Sequence, residues 1–166
     1  MNVAEAGSVA PDLTVQAHRT GICPNRAWVD GRPAVLIFHG RDNQDTARGL
    51  IQIVRNVYTD ATSVVTVNIV DLSMFPRTMR RLVRSDLDKA FDREALNLPG
   101  DRDPESHIVI VGDYSGGLTR SWGFRDTDRL VSCAVLDADW RVRSRTIEPA
   151  LDRAVMRTLG ELLPAP

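Results

Sequence analysis

The sequence predicts an α/β fold, a central mixed β-sheet with helices on both faces. Three observations carry this expectation. Short apolar runs such as "AVLIF" and "SVVTVNIV" alternate with segments of helical periodicity, the pattern of strand-helix-strand units. Near the C-terminus "RLVSCAVLD" and "RVRSRTI" are separated only by the tight turn "DADW", which makes that pair antiparallel. The length of 166 residues, 43% of them hydrophobic, suits one core rather than two. A single domain over residues 1–166 is expected, with 1–10 as a flexible leader.

Taken in order, "DLTVQAH" alternates weakly and reads as an edge strand, and "RAWVDGRP" as a short hairpin arm turning at Asp30-Gly31. "AVLIF", Ala34 to Phe38, is apolar without alternation, as a strand buried on both faces must be. Leu50, Ile53, Val54 and Val57 recur at i, i+3, i+4 and i+7, giving a helix from about Asp45 to Tyr58 with Asn43 or Asp45 as its N-cap. The β-branched "SVVTVNIV", Ser63 to Val70, is the second core strand. Phe75, Met79, Leu82, Val83, Leu87 and Ala90 mark the inner side of a second helix ending near Leu96, with Pro76 in its first turn. "LPGDRDPES" is a surface loop, "HIVIVG" a third strand, and "GGLTRSWGF" a short helix or turn. The antiparallel pair follows, its return strand carrying outward arginines. Pro149, at N1, opens a last helix striped by Leu151, Val155, Leu159 and Leu162.

Composition removes several function classes. A formal charge of −1 and a pI near 6.3 exert no general pull on nucleic acid, and two tyrosines without aromatic interleaving among the basic residues argue against single-stranded binding. Twenty of the 21 basic residues are arginine, Lys89 being the exception. The N-terminus lacks the basic and apolar regions of an export signal, and no apolar run is long enough to span a bilayer, so a cytoplasmic protein without membrane association is expected. His18, His39 and His107 are not at metal-ligand spacing, and there is no Cys-x-x-Cys. "GDYSGG" lacks the lysine and spacing of a phosphate-binding loop and the context of a nucleophile elbow. No metal and no cofactor are expected. An oligomer remains open.

Several fragments resemble the thioredoxin-like superfamily in its peroxiredoxin and TlpA-like layout. "GSVAPDLTV" is similar to the Ala-Pro-Asp opening of those proteins, and "DGRPAVLIFHGR" to the strand that runs into their active-site loop. "WGFRDTDRLVSCAVLDADWRV" resembles their segment ending in a Leu-Asp-x-Asp-Gly-Arg-Val hairpin, with Trp140 where glycine is usual. "HGRDNQDTA" and "VRSDLDKA" are similar to segments of the bacterial YtfJ-type proteins, whose members usually carry an export signal that this chain does not. The resemblance implies a thioredoxin-like fold and places the two redox cysteine positions on Asn43 and Thr46. Neither side chain does thiol chemistry. The family's cis-proline position falls on Val131.

Two thiols remain. Cys133 lies mid-strand and reads as a small buried hydrophobe, whereas Cys23, before Pro24, reads as more exposed and open to a peroxiredoxin-like role. The loop itself offers His39, Arg41, Asp42, Asn43, Asp45, Thr46 and Arg48. Its helix start can receive an anion on free N–H groups, with Arg41 or Arg48 adding charge and His39 as an acid or base. Alternatively Asn43 or Asp45 caps the helix, Arg41 pairs with Asp42 or Asp45, and His39 is structural. The neighbouring "RDTDR" adds Arg125, Asp128 and Arg129 to the same face. A second candidate is the stripe of Arg77, Arg80, Arg81 and Arg84, set opposite Met79, Leu82 and Val83: either a solvated face paired with Asp86 and Asp88, or a docking surface for an acidic partner. The favoured expectation is a non-redox protein that binds a protein partner or small anionic ligand at the loop; an enzyme using His39 in the same cleft is the alternative.

Overall fold

A computed structural model describes residues 5–60 and 63–163, and the sheet is organised around β1, Ala34–His39, buried at all six positions. β1 pairs in parallel with β2, Val65–Asp71, and antiparallel with β4, Ser132–Leu136. Outside these lie β3, Ile110–Asp113, parallel to β2, and β5, Val142–Ile147, antiparallel to β4, for an order β3-β2-β1-β4-β5. A central strand with apolar side chains on both faces needs cover on both, which explains the unbroken apolar run.

Strand alternation divides the core. Val35 and Ile37 point to one side, where they pack with Leu50 and Val54 of α2, Gln44–Val57, and with Val155 and Leu159 of α6, Leu151–Leu162. Farther along the same face Val70 and Ile110 meet Val83, Leu87 and Phe91 of α3, Arg80–Leu96. Leu36 and Phe38 point the other way, into a cluster covered by the coil from Ala10 to Ala17, by α1, Arg26–Val29, and by Trp122 and Phe124 just after α5, Gly117–Ser121. A short α4, Pro104–His107, precedes β3. Helices thus cover both faces of a mixed sheet, as expected. Among the described residues no helix is long and apolar enough to cross a membrane.

Several local expectations are corrected. "DLTVQAH" forms no strand: its backbone runs as coil over the core, and the only bridge nearby joins Val9 to Arg141. "RAWVDGRP" is not a hairpin arm but α1, because the Asn25 side chain accepts from Trp28 N and caps one helical turn, which Asp30 ends in a left-handed conformation. β3 starts at Ile110 rather than His107, since Asp103 caps α4 and Pro104 occupies its first turn. Pro149 lies ahead of α6, whose N-cap is Ala150, because Glu148 is still held to Val131 by its N–H. Of the expected leader, residues 1–4 lie outside the described residues, while Gly7 and Ala10 donate to the carbonyls of Val142 and Trp140.

Trp140 explains its own departure from the usual glycine. It keeps the left-handed conformation that glycine adopts freely, with φ of 61°, at a cost of about 1–2 kcal/mol. Its indole is 1% exposed in the cluster with Leu13, Ala17 and Leu136, and burial of a side chain this large contributes at least about 1.5–3 kcal/mol in return.

Candidate functional site

The site forms where β1 gives way to α2. Parallel register sets His39 beside Val70 and Ile37 beside Asn68, so the His39 and Asn68 side chains share the face that carries α2 and α3. His39 is 3% exposed. Its Nδ1 lies 2.6 Å from the Gly40 carbonyl, which only accepts, so this nitrogen carries the proton. Its Nε2 is 2.6 Å from Asn68 Oδ1, and with the single proton on Nδ1 this contact is a hydrogen bond when the Asn68 amide turns to present its NH2. Burial holds the imidazole below its ordinary value, and the neutral ring is the stable form.

Beyond His39 the chain is closed onto the segment 125–129 through Thr127. The Thr127 carbonyl accepts from Gly40 N at 2.7 Å and from Asn43 Nδ2 at 2.8 Å. Asn43 Oδ1 accepts from the same Gly40 N at 2.9 Å, and the Thr127 hydroxyl donates to Asp71 Oδ2 at 2.9 Å. The contact is tight enough to require glycine: a Cβ on Gly40 would stand 2.5 Å from Asp128 Oδ1 and 2.8 Å from its Cα. Loop and "RDTDR" segment therefore meet, as the sequence suggested, but through Thr127 rather than their charged residues.

Asn43 is the N-cap of α2 by position, yet its side chain makes no cap hydrogen bond. It reaches back to Gly40 and Thr127 instead, so Asn43 holds the expected N-cap position without its side chain capping the helix. Asp45 likewise does not cap; it pairs with Arg48 at 2.6 Å. Thr46 stands exposed in the first turn, and Arg41 has no acidic partner among the described residues, although pairing with Asp42 or Asp45 was one expectation. On the 125–129 side the field is acidic. Burial, then the carboxylates of Asp71, Asp42 and Asp126, raise Asp128 above the ordinary aspartate value. Arg125 and Arg129 are exposed there.

On the other side of the loop α2 and α3 diverge over the C-terminal ends of β1 and β2, leaving a pocket of about 70 Å³. His39, Asn68, Val70 and Leu72 line it from the strands, Val83, Asp86, Ala90, Arg93 and Glu94 from α3, and Arg41 and Arg48 from the loop and α2. Below it Arg55 of α2 and Glu94 of α3 form an ion pair at 2.6 Å, buried on both sides.

The arginines of the stripe are exposed throughout, but Arg77 lies in a 3₁₀ turn, Arg77–Met79, ahead of α3, and the inner side is narrower than expected: Leu82, expected inward, is 56% exposed, while Val83, Leu87 and Phe91 turn in. Arg80 stacks over Tyr114 at 5.4 Å. The expected Asp86 and Asp88 partners are engaged elsewhere, with Lys89 at 3.6 Å and His18 at 2.9 Å.

Both cysteines are free. Cys133 sits in β4 opposite Ile37, 1% exposed, and burial pushes its thiol well up. Cys23 lies just ahead of α1, whose Trp28 shares a recess with Val65 and Thr66 at the start of β2, the opposite end of the sheet from the loop. Val131, at the proline position, donates its N–H to Glu148 Oε2 at 2.7 Å. Among the described residues no cluster of histidine, cysteine or acid side chains is arranged for a metal.

Asn68, Asp71, Arg93 and Thr127 were not singled out from the sequence. Asn68 carried a readable signal, since a polar residue inside an apolar strand demands a partner.

Comparison with known proteins places the fold. No family model matches the chain, and no curated protein matches it. Among solved structures it is similar to a putative thiol:disulfide interchange protein DsbE from Chlorobium tepidum, at a TM-score of 0.67 and 14% identity, covering 96% of this chain and 98% of that one. A thiol-disulfide oxidoreductase from Bacteroides fragilis superposes at 0.65 with 16% identity, over 94% and 100% of the two chains. The exposed lipoprotein thioredoxin of Streptococcus pneumoniae gives 0.63 at 14% identity, over 92% and 100%. Identities this low establish the fold and nothing finer. The chain has the thioredoxin-like fold, shared with these thiol-disulfide oxidoreductases, and its loop between β1 and α2 carries no cysteine.

Proposed function

We propose that the protein is non-redox and binds a protein partner or small anionic ligand at the face built by the loop. The observation that carries this reading is Asn43, which stands at a cysteine position and spends both ends of its amide on Gly40 and Thr127. A residue that fixes the loop in place supports a preformed recognition surface better than an exchangeable one. Neither cysteine is near the helix start that would lower a thiol's pKa. The alternative of His39 as an acid or base is disfavoured by its burial and by partners on both ring nitrogens. The YtfJ-type resemblance and a cytoplasmic setting, where free thiols stay reduced, belong to the same proposal.

The test compares Arg41→Ala, Asp42→Ala and His39→Ala in a partner or ligand screen, each checked for folding. A recognition surface requires that the first two weaken binding. An imidazole working as acid or base contributes about 10²–10⁴ in rate, so a turnover lost mainly in His39→Ala would favour the enzyme instead.

A further inference from the structure

We propose that the pocket between α2 and α3 binds a small monocarboxylate with a short aliphatic body, its tail inward and its carboxylate at the rim. This rests on the reading of the loop region as a binding site and names its ligand class. Val70, Leu72, Phe75, Val83 and Ala90 give it apolar walls beside the uncharged His39 and Asn68. A bare inorganic anion gains nothing from such walls, whereas an aliphatic tail replaces apolar surface that would otherwise face water.

The rim supplies the opposite chemistry. Arg41 and Arg93 both line the pocket and are exposed, and neither guanidinium has a carboxylate within salt-bridge distance among the described residues. The acids nearby are spoken for, Glu94 by Arg55 at 2.6 Å and Asp86 by Lys89 at 3.6 Å. Two planar cations without partners beside an apolar hole match a carboxylate carried on a hydrocarbon, because guanidinium and carboxylate pair in a two-pronged fashion. The volume of about 70 Å³ keeps the hydrocarbon short.

The experiment follows backbone and side-chain amide resonances by NMR while butyrate, butanol or inorganic phosphate is titrated into the full chain. Butyrate should shift Asn68, Val83 and Ala90 saturably, with butanol and phosphate at least about tenfold weaker, the worth of one charge-assisted contact. Arg93→Gln, an exposed substitution, should weaken butyrate by roughly tenfold without altering the unfolding midpoint. Ala90→Leu, which fills the pocket and leaves every arginine in place, should abolish the shifts. Equal responses to butyrate and butanol, equal responses to butyrate and phosphate, an unchanged affinity in Arg93→Gln, or no saturable shift would each overturn the assignment. Insulin-disulfide reduction measured on the same sample keeps the two readings apart. Cysteine-dependent turnover would overturn the non-redox function while saturable butyrate binding still stood, and silence toward butyrate would sink this inference alone.

Discussion

The two sides of the loop differ in how their polar groups are used. Toward residues 125–129, Gly40, Asn43, Asp71 and Thr127 satisfy one another, and the carboxylates of Asp71, Asp42 and Asp126 repel that of Asp128, with Arg125 and Arg129 exposed beside them. Toward α3 the wall is apolar, and the charges left over are the guanidiniums of Arg41 and Arg93. The loop between β1 and α2 is a partition between a closed, hydrogen-bonded wall and an open one.

The largest effect should come from the join beneath the open wall. Glu94→Ala strands the buried Arg55 charge and should cost about 3–5 kcal/mol in denaturant unfolding. A loss below 1 kcal/mol would mean that α3 is not held to α2 by this pair. Next is the closed wall itself. Gly40→Ala drives a Cβ to within 2.8 Å of the Asp128 backbone, and the resulting strain should cost about 1–3 kcal/mol, read as a lowered unfolding midpoint. An unaffected midpoint would show that the segment 125–129 is free to move away. Asn43→Ala removes one donor and one acceptor but leaves the Gly40 to Thr127 bond intact, so about 1 kcal/mol is expected from the same measurement.

The smallest effect separates the walls by charge. Asp128 has a folded-state pKa above its ordinary 3.8, so the folded chain binds more protons than the unfolded one as the pH passes upward from that value. Stability then falls through this window, and the loss persists at neutral pH. Asp128→Asn should raise neutral-pH stability by less than about 1 kcal/mol, as for other solvent-screened charges, and flatten that part of the pH profile. A variant less stable than wild type at pH 7 would mean that the carboxylate has a favourable partner.

How much of this was legible depended on whether the signal was local. The buried strand at Ala34 and the helix over Leu50 and Val54 each lie within one element, and the structure agrees with both, although Ile53 and Val57 of the same apolar spacing are 39% exposed and Ile51 turns in instead. Weak alternation in "DLTVQAH" failed because Leu13 and Ala17 are buried by packing over the core, and the segment meets a strand only through His18 N and the Ile110 carbonyl. Leu82 failed because apolar spacing alone does not say where the buried arc of α3 ends. Within the site, charge drew attention to Arg125, Asp128 and Arg129, whereas the buried hub is Thr127. Its partners lie 56 and 84 positions away in the chain, and no short-range pattern announces a contact of that kind.

The claim at the centre of this account is that the fold persists without thiol exchange. It is tested most directly by the rate at which the wild-type protein reduces insulin disulfides, measured beside Cys23→Ser. With Cys133 buried and Cys23 at the far end of the sheet from the loop, both proteins should match the reagent background. A wild-type rate above background that disappears in Cys23→Ser would contradict it.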